Sequence, residues 1–110
     1  MAGLFELNKS SDGQYRFVLK SDEAETILMS ELYQAKSSAE NGITSVQANS
    51  PLEERYERKT ASNGQAYFNL KAANHQVIGT SRMYATEQDR ESGIAAAKSN
   101  GLTQTIKDNT

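Results

Sequence analysis

The sequence predicts an α+β protein built from two tandem βββα(β) repeats, which form one largely antiparallel sheet with both helices on one face. Two observations predict this class. A ten-residue segment occurs twice in similar form, as SDGQYRFVLK at 11–20 and SNGQAYFNLK at 62–71. Within each copy, apolar residues first alternate with polar ones, as in a strand, and later follow the wider spacing of a helix.

The two copies align without a gap at a constant offset of 51 residues. Identical residues at this offset include Glu6/Glu57, Gly13/Gly64, Phe17/Phe68, Leu19/Leu70, Lys20/Lys71, Ile27/Ile78, Ser30/Ser81, Tyr33/Tyr84, Glu40/Glu91, Gly42/Gly93, Ile43/Ile94 and Asn49/Asn100. Solenoids need at least three units. We therefore expect one domain over 1–110, with repeat 1 at about 4–54 and repeat 2 at about 55–108, packed as a pseudo-twofold pair.

Each copy begins with segments that favour strands. FELNKS alternates apolar and polar residues and is followed by Ser-Asp-Gly, which becomes Ser-Asn-Gly in the second copy. Asp-Gly and Asn-Gly are strong hairpin signals because both residues tolerate positive φ. YRFVLK and AYFNLK then predict second strands, and TILMSELY and VIGTSRMY predict third strands. The sheet face away from the helices should be the more polar one.

The spacing changes to a helical period over KSSAENGITSVQAN at 36–49 and EQDRESGIAAAKSN at 87–100. Thr86 precedes the second segment and is a good N-cap residue. Ala35 holds the matching place before the first segment, and its side chain has no oxygen for a cap. The first helix should therefore begin without a side-chain cap.

Glycine lies in the middle of both helices, at Gly42 and Gly93, where it costs about 1 kcal/mol relative to alanine. Close approach of each helix to the sheet would explain it. Asn49 and Asn100 are expected to end the helices in the left-handed conformation. The tail LTQTIKDNT predicts a short final strand, near 102–107.

Composition excludes several classes of function. The chain carries 12 basic and 14 acidic residues, for a net charge of −2, and it contains one histidine and no cysteine. We therefore expect no nucleic-acid groove, no membrane surface, no thiolate chemistry and no disulfide. The opening residues MAGLFELNKS interrupt any apolar run, so a soluble, cytoplasmic protein is expected.

The chain resembles the YegP family of small, uncharacterised bacterial proteins over essentially its whole length. The resemblance rests on FELNKSSDGQYRFVLK, ETILMSELY, SSAENGI, ERYERKTASNGQAYFNLKAANHQVIG and KDNT. It implies two β3-α-β units in one sheet, with the last strand of each unit exchanged across the pseudo-twofold axis. Because each of the two joined units completes the hydrophobic layer of the other, a monomer is expected. The resemblance implies no activity.

Chemistry-bearing residues are few, and we predict no catalytic residue, no cofactor and no metal site. His75 lies in a predicted turn, and its counterpart is Ala24. The acidic residues near the first two turns lack calcium-loop spacing. Glu53, Glu54 and Glu57 alternate with basic residues, which favours a salt-bridged surface over acid–base catalysis.

Three pairs repeated across the duplication are the candidate ligand or partner residues: Lys20 with Lys71, Ser30 with Ser81, and Tyr33 with Tyr84. Structural roles, such as tyrosines covering the strand-to-helix corner, compete with that interpretation.

Three functional hypotheses follow from these observations. The leading one is a non-enzymatic binding or interaction module that uses the open sheet face or a sheet edge, with a protein as partner. The second is a small-molecule binder or enzyme with its site on the pseudo-twofold axis. The third is a weak single-strand nucleic-acid binder that stacks bases on Tyr15, Tyr56 and Tyr67.

Overall fold

The computed structural model describes residues 3–23 and 25–110, which contain seven strands and two α-helices. Their bounds are β1 (Leu4–Lys9), β2 (Tyr15–Lys20), β3 (Thr26–Met29), α1 (Lys36–Asn49), β4 (Tyr56–Thr60), β5 (Ala66–Lys71), β6 (Val77–Ser81), α2 (Glu87–Asn100) and β7 (Ile106–Asp108). Each copy contributes three strands and then a helix, as the changing apolar spacing predicts. The bounds of the two repeats remain a prediction.

All seven strands form one sheet in the order β4-β5-β6-β3-β2-β1-β7. Neighbours are antiparallel except β1 and β7, which are parallel. The two copies meet where β3 pairs with β6, and Met29 lies directly opposite Thr80. These residues are equivalent by the 51-residue offset, so the pseudo-twofold axis passes between them.

The last strand of the second copy joins the first copy. β7 follows α2 but pairs with β1, which confirms that a C-terminal strand is exchanged. This strand is shorter and begins later than predicted. Thr103 is instead buried, and its hydroxyl donates a hydrogen bond to the carbonyl of Gly3 at 2.7 Å. That bond fixes the path of the chain before β7 begins.

Three hairpin turns each use one left-handed residue. In the β1–β2 turn this residue is Gly13 (φ 88°), and in the β4–β5 turn it is Gly64 (φ 86°). His75 takes the same place in the turn between β5 and β6, with φ 71°, and is the one described non-glycine residue with positive φ. Histidine is among the residue types enriched in this conformation. His75 is therefore an exposed turn residue, as predicted, and Ala24 lies outside the described residues.

Both helices have the bounds that the apolar spacing predicts. The Thr86 hydroxyl accepts a hydrogen bond from the Asp89 amide at 3.0 Å and caps α2, whereas Ala35 gives α1 no side-chain cap. No helix among residues 3–23 and 25–110 is long and apolar enough to cross a membrane.

The predicted left-handed helix ends are wrong. The chain stays right-handed at Ser50 (φ −59°) and Gly101 (φ −66°). The asparagines act through their side chains instead, because Asn49 and Asn100 each donate to a carbonyl four residues earlier at 2.8 Å. Each asparagine side chain folds back onto the last turn of its helix without a change of backbone hand.

The core lies between the sheet and the two helices, which share one face. Its largest fully buried side chains are Phe5, Leu7, Phe17, Leu19, Leu28, Ile43, Val46, Phe68 and Leu70. A register shift in β3 adds one residue, so that Ile27 and Leu28 are both buried although they are consecutive. A bulge of this kind places two residues against one on the neighbouring strand.

Candidate functional site

The candidate lysines lie on the open face, which we define as the sheet surface away from the helices. The Lys20 ammonium is 3.2 Å from Glu6 Oε1, and the Lys71 ammonium is 3.0 Å from Glu57 Oε2. The hydrogen bond from Lys71, with a second from Asn69, holds the pKa of Glu57 below its ordinary value. β3 and β6 separate the two lysines, so the fold does not bring them together.

The candidate serines lie on the helix side of the sheet, close to the axis, and both are buried. The Ser30 hydroxyl accepts from the Phe17 amide at 2.9 Å and donates to the Glu31 carbonyl at 2.8 Å. Ser81 repeats this arrangement with the Phe68 amide at 2.9 Å and the carbonyl of the next residue at 2.8 Å. These hydroxyls bond the backbone where the third strands end.

The candidate tyrosines cover the corner between the third strand and the helix. Tyr33 stacks on Phe17 and Tyr84 stacks on Phe68, each with ring centroids 6.4 Å apart. Each phenol oxygen lies under the mid-helix glycine of the same copy. Burial raises the pKa of Tyr33 above its ordinary value.

No shared site forms from the six candidates. The side chains of Met29 and Thr80 occupy the axis on the open face. A groove of about 590 Å³ lies away from the axis, between the β2–β3 hairpin and α2. Its lining includes Tyr84, alone among the six candidates, with charged residues of both signs such as Arg82 and Asp89.

A straight row of seven residues crosses the open face, one from each strand. From the β7 edge to the β4 edge, the row is Lys107, Glu6, Val18, Met29, Thr80, Asn69 and Glu57. Residues directly opposite each other on neighbouring strands share a face, so these side chains form a continuous surface.

The two halves of this row differ in chemistry. In the second copy, the Thr80 hydroxyl donates to Asn69 Oδ1 at 2.9 Å, and Asn69 Nδ2 donates to Glu57 Oε1 at 3.1 Å. The equivalent positions of the first copy are Val18 and Met29, and 40% of Met29 is exposed. The centre of the open face is therefore apolar on one side of the axis and hydrogen-bonded on the other.

The open face also has its own charge. Its strand residues include five basic and two acidic side chains: Arg16, Lys20, Lys59, Lys71, Lys107, Glu6 and Glu57. This gives a net +3 on a chain whose total charge is −2, so the rest of the chain carries −5. Arg16, Lys59 and Lys107 are in no salt bridge with residues 3–23 or 25–110.

The proposed aromatic platform does not form. Tyr67 lies on the open face, opposite Lys59, but Tyr15 and Tyr56 face the helices. The Tyr56 hydroxyl donates to the Ser50 carbonyl at 2.6 Å, and burial holds the pKa of Tyr56 well above its ordinary value. One tyrosine is a poor stacking surface for successive bases.

The acidic residues Glu53, Glu54 and Glu57 are each in an ion pair, as their alternation with basic residues predicts. Arg58 lies 2.8 Å from Glu53 and 2.8 Å from Glu91, and the hydrogen bonds that it donates, first to Glu91 and then to Glu53, raise the pKa of Arg58. Lys98 also bonds Glu53. Within residues 3–23 and 25–110, no cluster of three potential metal ligands occurs.

Sequence reasoning missed the row because it compared identical residues across the duplication. The informative positions are those where the copies differ, Val18 against Asn69 and Met29 against Thr80. The 51-residue offset contains this signal, but only the strand register places the four residues side by side.

The fold defines a class of tandem-repeat α+β proteins in which two strand–strand–strand–helix units share one sheet. A family model described as "Domain of unknown function (DUF1508)" matches residues 10–57 and again residues 61–108, which reproduces the 51-residue offset. The chain belongs to the YegP (UPF0339) family, as the resemblance in its sequence indicates.

Relatives match along nearly their full length. The UPF0339 protein YegP of Escherichia coli strain K12 is 71% identical over 110 residues, covering all of both chains. A UPF0339 protein of Shewanella oneidensis is 57% identical over 108 residues, covering 98% of each chain.

Two solution NMR structures have the same fold. That of E. coli yegP, described as a protein of unknown function, matches with a TM-score of 0.95 at 71% identity, covering 100% of this chain and 95% of that one. The structure of the S. oneidensis UPF0339 protein gives 0.93 at 57% identity, covering 98% and 92%. These comparisons establish the family and the fold, and the family is described as one of unknown function.

Proposed function

We propose that the chain is a non-enzymatic binding module, monomeric and cytoplasmic, whose open face docks on an acidic protein surface. The distribution of charge supports this proposal, because the open face has a net charge of +3 although the whole chain has a net charge of −2. Charge complementarity of this kind steers association and selects partners.

The apolar centre of the row adds a hydrophobic contact to the attraction between charges. Val18 and Met29 are neighbours on β2 and β3, and Met29 is 40% exposed. An interface usually buries an apolar core inside a polar rim. The expected partner therefore presents an apolar side chain to Val18 and Met29, and carboxylates to the surrounding lysines and Arg16.

The other two hypotheses have less support. An axial small-molecule site would have to displace Met29 and Thr80, and the groove of about 590 Å³ is away from the axis. Binding to single strands would rely on Tyr67 alone for stacking on this face. An acidic protein surface needs neither a pocket nor a row of aromatic side chains.

The test is an NMR titration of the ¹⁵N-labelled protein with a short peptide of glutamates around a central leucine. We expect the shifted amides to lie in β2 and β3, around Arg16, Val18 and Met29. An oligothymidylate of the same charge is titrated in parallel. It should bind more weakly, because it lacks the apolar contact.

The matched variant converts the first copy to the chemistry of the second. Val18→Asn/Met29→Thr introduces the residues found at Asn69 and Thr80, which the fold already accommodates. The double variant should fold normally and lose about tenfold in peptide affinity. Arg16→Glu should also weaken binding, whereas Arg82→Glu, an equal change of charge on the helix side, should not.

Peptide shifts confined to the groove beside α2 would overturn the proposal, as would equal binding by the double variant. Tighter binding of the oligothymidylate would assign the face to nucleic acid instead.

A further inference from the structure

The two edges of the sheet differ, although β1 and β4 are equivalent strands of the duplication. At the first edge, β7 pairs with β1, and at the second edge, β4 is the last strand. The Phe5 amide donates to the Thr105 carbonyl at 2.9 Å, and the Asn109 amide donates to the Leu7 carbonyl at 2.8 Å. Phe5 and Leu7 therefore direct their backbone groups outward, toward β7.

At the second edge, the equivalent residues of β4 are Tyr56 and Arg58. The Tyr56 amide, the counterpart of the Phe5 amide, donates to the Glu53 carbonyl of the turn just before β4. Beyond that bond, no strand within residues 3–23 or 25–110 pairs with the outer edge of β4. After α1 the chain enters β4 itself, whereas after α2 it continues into β7, which lies beside β1.

The basic residue that pairs with β7 at the first edge has an acidic counterpart at the second edge. Lys36 lies at the start of α1, and its ammonium is 2.7 Å from Asp108 Oδ2 of β7. The equivalent residue at the start of α2 is Glu87. A strand beside β4 would therefore place its third residue, the counterpart of Asp108, opposite Arg58, the counterpart of Leu7. Two carboxylates already pair with Arg58, so the unmatched charge near that place is the Glu87 carboxylate.

We propose that the outer edge of β4 accepts an extended basic segment of a partner protein, which runs parallel to β4 as β7 runs parallel to β1. The segment carries lysine or arginine at the place of Asp108, where it pairs with Glu87. A second basic residue, at the place of Lys107, lies beside Glu57 as Lys107 lies beside Glu6.

The same charges select against other occupants. The tail of a second copy would bring its Asp108 toward Glu87, so self-association at this edge is disfavoured. Arg58, with its bonds to Glu53 and Glu91, replaces the buried Leu7 of the first copy. Charged residues on an edge strand oppose indiscriminate strand pairing. A partner must therefore supply complementary charge as well as an extended backbone.

The test uses the protein's own final strand as a template. Two synthetic peptides are made, the native TQTIKDNT of residues 103–110 and the same peptide with Asp108→Lys. Each is titrated into the ¹⁵N-labelled full-length protein. The lysine peptide should shift the amides of Tyr56–Thr60 and bind two- to fivefold more tightly than the native one, roughly the range of an exposed ion pair.

Charge reversal supplies the decisive comparison. In a Glu87→Lys protein the preference should invert, so that the native peptide binds more tightly. Glu23→Lys, the same change in the exposed turn before β3, should keep the original preference.

Three results would overturn the proposal: no shift at Tyr56–Thr60, shifts at Leu4–Lys9 from displacement of β7, or a preference that Glu87→Lys does not change. Shifts on the open face around Val18 report on the proposed function instead, so the two proposals fail separately.

Discussion

Replacing Gly93 by alanine tests whether α2 touches the sheet as closely as the structure shows. A β-carbon on Gly93 would lie 2.2 Å from the Tyr84 phenol oxygen and 2.6 Å from the ring carbon that carries it. Non-bonded carbon atoms prefer separations of about 3.5–4.0 Å. The added methyl group and the ring therefore cannot both keep their places.

The ring of Tyr84 has little freedom to move aside. It stacks on Phe68 with an interplanar angle of 10°, and only 8% of Tyr84 is exposed. Its backbone is bonded to Ala66 in both directions, at 2.7 and 2.9 Å. Overpacking of a core costs about 1–3 kcal/mol, and this overlap belongs at the upper end.

Alanine in a helix recovers about 1 kcal/mol relative to glycine. We therefore expect Gly93→Ala to lower the free energy of unfolding by about 2 kcal/mol. For a chain of this size, this corresponds to about 8 °C in Tm.

Urea unfolding followed by circular dichroism measures the change. Ser92→Ala, on the exposed side of the same helix turn, is the control and should be neutral or slightly stabilising. Adding Tyr84→Phe to Gly93→Ala removes the nearest oxygen and should restore part of the loss. If Gly93→Ala were as stable as the wild type, the close contact between α2 and Tyr84 would be refuted.

Two further predictions concern the buried serine and the final strand. Ser81→Ala should cost about 1–3 kcal/mol, because it leaves the buried Phe68 amide unpaired, and hydrogen exchange at that amide should accelerate. Lys36, the strongest influence, holds the pKa of Asp108 below its ordinary value of 3.8. The pairing therefore stabilises β7 above that pH and is lost as the pH falls through the lowered pKa. Exchange at Leu7 should accelerate only in strong acid, whereas Asp108→Asn should accelerate it at neutral pH.

Each of these predictions can fail clearly. Unchanged stability of Ser81→Ala would leave the hydroxyl available for a ligand and would favour a binding role for the serine pair. Leu7 exchange that is equally slow in Asp108→Asn and in the wild type would show that the ion pair does not hold β7.

Most of the fold could be predicted from the sequence, because the duplication repeats the residue pattern of each strand and helix in a second copy. The helix bounds at 36–49 and 87–100, the cap at Thr86 and the missing cap at Ala35 all follow from residues adjacent in the chain. The mid-helix glycines also predicted the close approach, since a conformational cost kept in both copies requires a packing reason.

The helix ends show where local reasoning fails. Asparagine is compatible with a left-handed end, but Asn49 Oδ1 accepts from Arg55 and Asn100 Oδ1 accepts from the Gly3 amide, both at 2.8 Å. The partner of Asn100 is 97 residues away in the chain. Tolerance of the left-handed conformation is outweighed by such a hydrogen bond, which contributes about 1 kcal/mol.

The amino-acid sequence by itself determined the two units, their strands and helices, and the face that each strand buries, because these depend on spacing and on neighbouring residues. The tertiary structure alone decided which side chains meet across strands and which edge β7 covers. These features depend on strand register and on the path of the chain after each helix. For that reason the sequence alone did not show the asymmetric open face, or the edge of β4 that no described strand pairs with, where the two proposed contacts lie.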